Sequence, residues 1–382
     1  MKKTLSIACA MAAPLLFSQS ATAAFDYFKK SDDGFKRFSV SAGWLHAEPT
    51  GDATPVRNTT AIKDGTPAEN GSVTVGAVKG VIDPAQGETR VQEIKGGLDL
   101  AGGLGLKGDE TDLANIGPLG LNFAGKTTVY GLENFATPGT GLESDTVDTV
   151  GMLFTYYVDD HWGVELKAGI PPTVDILGKG EVIAPFKGKV SPSGLAADIL
   201  GDFDIKKDIQ ITDMTQGNGV ASSARAWLPA ALVQYQFGKQ GVNKFRPYIG
   251  AGVMYAYFDD IELNKGIGQD LQIAAGRLQL IQDGKAGAAL GEKADILKNS
   301  DAQVRDMRVK VEADSAWAPI INVGATYDFD ENWFAVGSIS YAKLDSDTTI
   351  TVKNKAGDQL IEAKSNIDID PYITYLGVGY RF

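Results

Sequence analysis

The sequence predicts an all-β fold: an eight-stranded antiparallel transmembrane β-barrel with long extracellular loops. Three observations predict it. Stretches of about ten residues alternate apolar and polar side chains, which suits tilted strands that cross a bilayer. The connections between them alternate short and long, as in outer-membrane barrels. The last stretch stops on an aromatic, Phe382, whose ring would anchor at a membrane interface.

The elements follow in order, each with one face for lipid and one for the barrel interior. In the first, Phe38, Val40, Ala42 and Trp44 face out, and Ser39, Ser41, Gly43 and Leu45 face in. The second turns Val150, Met152, Phe154, Tyr156 and Val158 outward, so Leu153 points in. After the turn Asp159-Asp160-His161, the third sets Trp162, Val164, Leu166, Ala168 and Ile170 against Gly163, Glu165, Lys167 and Gly169, and it ends at Pro171-Pro172. The fourth, Trp227 to Phe237, turns Leu228, Ala230, Leu232, Gln234 and Gln236 inward. The fifth, Phe245 to Tyr257, turns in Arg246, Tyr248, Gly250, Gly252 and Met254. The sixth, Trp317 to Phe329, turns in Ile320, Asn322, Thr326 and Asp328. The seventh, Asn332 to about Asp345, alternates least cleanly. In the eighth, Tyr372, Thr374, Leu376, Val378, Tyr380 and Phe382 face lipid, and Ile373, Tyr375, Gly377, Gly379 and Arg381 face in.

Short turns near Asp160, Gly241 and Glu331 fall on one side, and an even strand number puts both termini there, at the periplasm. The long connections span about 48–148, 172–224, 259–315 and 346–368. The first is too long for a structureless loop, so it is expected to carry hairpins of its own or to extend the barrel outward. Within the third, Gly266 to Asn299 is rich in Ala, Leu, Gln and Lys and predicts at least one helix.

The chain opens Met-Lys-Lys, continues through the apolar Leu5 to Phe17 and reaches Ala21-Thr22-Ala23, which predicts a signal peptide over residues 1–23 and a barrel chain over 24–382. The single cysteine, Cys9, lies inside that leader, so the exported chain has no disulfide or thiol chemistry. After Ala24 no apolar run reaches the roughly 18 residues of a spanning helix. The net charge of −12 becomes −14 without Lys2 and Lys3, an acidic balance that disfavours nucleic acid as a partner. No cofactor or metal is expected. Gly103 to Gly108 matches a dinucleotide fingerprint formally, but without a strand-to-helix setting it reads as a flexible loop. Two histidines give too few ligands for zinc. His161 sits in a short turn. His46 caps the first strand at the outer rim, where a barrel enzyme would place a catalytic group, yet an isolated rim histidine is far more often structural or solvated, and no partner Ser or Asp can be fixed from sequence. Paired acids such as Asp202 and Asp204, or Asp259 and Asp260, read as solvated loops that could meet cations at a lipopolysaccharide surface.

Gly163-Val164-Glu165-Leu166, Leu228-Pro229, Lys244-Phe-Arg-Pro-Tyr-Ile-Gly-Ala-Gly252 and the ending Gly379-Tyr-Arg-Phe382 together resemble the outer-membrane protein W family. The resemblance covers the eight strand regions and not the enlarged loops. It implies an eight-stranded barrel whose narrow, apolar lumen takes up small hydrophobic solutes and releases them sideways into the membrane. The expected partners are outer-membrane lipid and lipopolysaccharide, such solutes, and the barrel-assembly machinery, which would read the last strand ending at Phe382.

Alternating strand direction gives each inward residue a height. Leu45, Leu153, Leu228, Leu232, Met254, Ile320, Ile373 and Tyr375 fall towards the outside and form the expected solute path. Gln234, Gln236, Arg246, Asp328 and Arg381, with Ser39 and Thr326, fall towards the periplasm and, with Glu165 and Lys167 lower to middle, form an expected polar floor. Ordinary packing of a small barrel explains the apolar half as well, since eight strands leave room for side chains or one small ligand. Pro229 removes a backbone donor beside the end of the third strand at Pro171-Pro172, which suggests a lateral gate between strands three and four. Tolerance of proline without function explains the same residues.

Overall fold

The computed structural model describes residues 35–116, 122–291 and 304–382, with Lys293, Ile296 and Leu297. The expected signal peptide and Cys9 lie outside the described residues. Strand β1 (Phe38–Glu48) is followed by β2 (Arg57–Thr60), β3 (Thr66–Glu69), helices α1 (Val75–Lys79) and α2 (Glu88–Leu104), β4 (Lys126–Tyr130), β5 (Asn134–Ala136) and β6 (Gly141–Ser144). A hairpin of β7 (Val147–Tyr157) and β8 (Trp162–Gly169) leads to β9 (Thr173–Lys179), β10 (Glu181–Ser191), α3 (Leu195–Leu200), β11 (Phe203–Asp213) and β12 (Val220–Trp227). Then come β13 (Ala230–Gln236), β14 (Phe245–Leu263), α4 (Lys265–Gln282), α5 (Ala286–Ala289) and β15 (Arg308–Ala313). The chain finishes with β16 (Ala316–Asp328), β17 (Trp333–Ala342), β18 (Asp345–Lys353), β19 (Gln359–Asp368) and β20 (Tyr372–Arg381).

Eight of these strands close on themselves in the order β13-β8-β7-β1-β20-β17-β16-β14, with β14 pairing back to β13. Every pairing is antiparallel. Closure leaves no open edge, so the spanning backbone is satisfied without water. Outward faces follow the predicted alternation: Val164, Val233, Ile321, Val323 and Leu376 are exposed on the outer wall, and Gly163, Glu165, Leu232, Gln234, Ile320, Asn322 and Tyr375 beside them are buried inside. Aromatic pairs mark both ends of that wall. Tyr255–Trp317 and Tyr341–Tyr372 lie at the long-loop end, and Trp333–Tyr380, Tyr380–Phe382 and Phe38–Tyr156 at the short-turn end. Two such girdles fit the two interfaces of a bilayer.

Beyond the barrel, the long connections fold together into a cap with a core of its own. A four-stranded sheet, β11-β10-β4-β3, and a five-stranded sheet, β15-β18-β19-β2-β5, enclose Ile94, Leu98, Val129, Phe186, Leu271, Leu280, Val352 and Leu360. The first connection is structured, as its length predicted, but without tight hairpins: β3 pairs β4 across two helices, β2 pairs β5 and β19, and β6 pairs β9 in continuation of the barrel sheet. Helix α4 lies within the predicted helical stretch, burying Ile267, Leu271, Leu278 and Ile281 on one side. Gly103, expected in a flexible loop, instead belongs to α2. Tertiary contact overrides the cost of its glycines: Ile94, Leu98 and Ala101 are buried, and Gly97 lets the Leu200 side chain of α3 approach closely. At the joint between barrel and cap, Asp370 takes up the Leu344 amide at 2.9 Å and the Lys343 ammonium. That carboxylate, with Asp368, holds the Lys343 ammonium above its usual range.

Candidate functional site

The barrel interior is filled by side chains in three groups. Towards the long-loop end, Leu232, Met254, Ile320 and Ile373 pack with Ala47, Ala230, Ala256, Ala318, Ala342 and Leu344, and Leu45 and Leu228 lean on that cluster. Leu153 and Tyr375 join a second cluster with Tyr248, Phe334 and Val336, nearer the short turns, and Leu45 touches this one too. Large rings fit there because their cross-strand partners are glycines. A Cβ on Gly324 would lie 2.6 Å from the Tyr248 ring, and one on Gly379 would lie 2.3 Å from Phe334. The sequence reading missed Phe334, Val336, Ser338 and Ser340 because small residues blur the alternation of β17. Their burial at every second position is the signal that would have found them.

The polar residues form two separate assemblies. Glu165 and Lys167, grouped with the floor at lower to middle height, meet at 3.6 Å and belong to a separate bar that crosses the middle of the lumen. Lys167 donates to Ser340 Oγ at 2.9 Å, Ser340 donates to Asn322 at 3.1 Å, and Asn322 donates to Glu165 at 3.5 Å. At the short-turn end, Arg381 pairs with Asp328 at 2.5 Å and lies 4.3 Å over the Phe334 ring. Gln236 donates to Thr326 at 2.9 Å, and Arg246 donates to the carbonyl of Asp160. Gln234 is buried beside them on β13, and Ser39 is buried opposite Arg381. Gln240 closes the base by exchanging hydrogen bonds with the Lys36 backbone.

Above the lumen sits an apolar vestibule absent from the sequence reading, with about 70 Å³ of free volume. Ala47, Val147, Val174, Leu228, Ile261 and Ile367 are among the residues that line it, drawn from strand ends and all four long connections. Only the assembled cap brings these segments together.

Pro171 and Pro172 follow the end of β8 and Pro229 precedes β13, close in sequence to Val174, Ala226 and Leu228 of the vestibule lining. The β8–β13 ladder runs from Trp162↔Tyr235 to Lys167↔Ala230, and pairing resumes beyond the prolines at Thr173↔Arg225 between β9 and β12. Across the gap Ala226 donates to the Pro172 carbonyl at 3.0 Å, whereas the Pro229 carbonyl is turned to the other flank of its strand and accepts from Tyr255 of β14 at 2.9 Å. Between the two ladders, where β8 gives way to β9 and β12 to β13, a few residues on each chain stay outside the pairing.

His46 Nδ1 lies 2.9 Å from Asp148 and its ring stacks on Trp44 at 5.5 Å. All three side chains sit on the outward parity of their strands. His161 stacks on Tyr235 in the short turn. Among the described residues no cluster of three or more His, Cys, Asp or Glu could hold a metal ion.

The OmpW family pattern matches residues 124–302 and 292–382, more than half of the chain. Outer membrane protein W of Vibrio cholerae serotype O1 is 28% identical over 205 residues, which cover 53% of this chain and 66% of that protein, just under two thirds of its length. The dibenzothiophene metabolism operon protein PahQ of Pseudomonas aeruginosa is 22% identical over 267 residues, covering 70% of this chain and 86% of that protein. The crystal structure of the outer membrane protein OprG from Pseudomonas aeruginosa aligns over 91% of this chain and 96% of its own, with a TM-score of 0.42 and 15% identity. The chain therefore belongs to the OmpW family, and its barrel sits in the bacterial outer membrane.

Proposed function

We propose that the protein mediates passive uptake of small hydrophobic molecules, with the cap facing outward and the short turns facing the periplasm. The observation that carries this reading is the meeting of an apolar vestibule, an apolar upper lumen and a broken strand ladder at one level. An apolar solute held at Leu228, Ala226 and Phe258 lies next to the gap at Pro229 and reaches lipid without crossing the bar at Lys167. The bar and the floor then keep the barrel closed to water and ions. The solute path then consists of Leu45, Leu228, Leu232, Met254, Ile320 and Ile373, the floor of Gln234, Gln236, Arg246, Asp328 and Arg381, and the lateral gate of Pro171, Pro172 and Pro229, while Leu153 and Tyr375 lie below the bar. A relative named for a dibenzothiophene metabolism operon is in keeping with an aromatic, poorly soluble cargo.

The test is uptake. Replacing Pro229 by Val restores a backbone donor and is expected to slow entry of a hydrophobic substrate into cells by several-fold, with the barrel still folded. Unchanged uptake would remove the gate. A second reading, an adhesive surface protein with the barrel as anchor, is favoured by the cap having a hydrophobic core of its own. Deleting residues 52–145 should spare uptake on the first reading and abolish partner binding on the second. Recognition by the assembly machinery is proposed to rest on the β20 end, where the Phe382 amide donates to Phe38 at 2.8 Å.

A further inference from the structure

The cap core contains a series of small voids, and each shares a lining residue with the next. The vestibule and a void of about 40 Å³ both touch Thr348. That void and another of about 30 Å³ both touch Asn58. A further one of about 30 Å³ is joined through Leu290, and it shares Ala124 and Pro192 with an open polar groove on the cap surface.

Asn58 is the chemical anomaly in this series. It lies on β2, 4% exposed, between Ala274, Leu278 and Ile361 on one side and Met214, Ile267 and Leu271 on the other. Its Nδ2 is buried with no acceptor among the described residues. An unsatisfied buried amide costs free energy, whereas a leucine of similar size would fill the space at no such cost. Apolar walls with one unpaired polar group are the pattern of a ligand site, where that group fixes orientation and rejects molecules unable to pair with it.

We propose that the cap core is a second binding site, for a slender apolar molecule carrying one hydrogen-bond acceptor, with that acceptor on Asn58 Nδ2 and the chain lying along the voids towards the vestibule. The voids are too small for a fused aromatic, so the ligand is an unbranched chain such as a medium-length ketone. The site is a matter of binding and stands whether or not the barrel transports.

The test is photolabelling of the full chain in lipid nanodiscs with a diazirine-bearing 2-alkanone, with adducts mapped by mass spectrometry. Adducts are expected near Phe135, Leu278 and Ile361 as well as in the vestibule. Asn58→Leu should reduce the cap adducts at least fivefold and leave the vestibule adducts unchanged. Ala289→Leu, which fills one void without touching Asn58, should do the same. Competition by 2-nonanone should exceed competition by nonane at the cap alone. Adducts confined to vestibule and barrel, full cap labelling of Asn58→Leu, or equal competition by nonane would each overturn the proposal.

Discussion

Lys167 of β8 reaches Ser340 of β17 at 2.9 Å, and in the closed order of eight strands these two stand diametrically opposite, four steps apart in either direction. The contact therefore spans the full width of the lumen and separates the apolar cluster at its mouth from the aromatic one below. Taking a charge out of water is costly, and its pairing with Glu165 and the two hydroxyl and amide partners is what makes it tolerable. Replacing Lys167 by Met leaves Glu165 buried and unpaired. We expect a loss of about 3–5 kcal/mol, seen as a lower urea midpoint in detergent-folded protein. Adding Glu165→Gln to that variant should recover most of the loss.

The barrel was legible because lipid enforces alternation, and the outward residues of every barrel strand but β17 could be assigned by counting in twos. The lumen was legible by face but not by grouping. Heights along separate strands do not say that Tyr375 lays its ring towards Gly377 and Gly151, so that it packs with Tyr248 rather than with Met254. Nor do they say that Lys167 points across the barrel. The cap was legible only as excess length, because its core joins residues as far apart as Val56 and Ile367 with no local period to announce them.

Close ring-on-glycine contacts make the second cluster sensitive to a single methyl group. Gly324→Ala would set a Cβ 2.6 Å from the Tyr248 ring and close to the Gly337 carbonyl, a backbone atom that cannot turn aside. Overpacking of this kind typically costs about 1–3 kcal/mol. The expected result is a lowered midpoint of the heat-induced shift in gel mobility, partly restored by Tyr248→Leu.

Two short turns share one device with a predictable pH response. Asp159 accepts from the amides of His161 and Trp162 at 2.7 Å each, and Asp330 accepts from those of Asn332 and Trp333 at 2.8 Å each. These amides hold both carboxyls below the usual carboxylate range, those of Trp162 and Trp333 contributing most. Because the folded value is the lower one, the stabilisation is present above about pH 4 and is lost as pH falls through the folded value. Hydrogen exchange at the Trp162 and Trp333 amides should accelerate, beyond the intrinsic trend, only below about pH 4. Asn at both positions should remove that acid response.

The vestibule offers the sharpest separation between packing and transport. Val174 lines it beside the seam, just beyond Pro172, and a phenylalanine there would project into the 70 Å³ space without adding polarity or touching the lumen bar. Stability should change little, because the added carbons enter free volume and any overpacking stays within about 1–3 kcal/mol. Uptake of a hydrophobic solute should fall several-fold while small-ion conductance stays low. If Val174→Phe folds like the parent and takes up solute at the same rate, the solute does not pass the vestibule, and the path assigned to Leu228, Leu232 and Met254 loses its entrance.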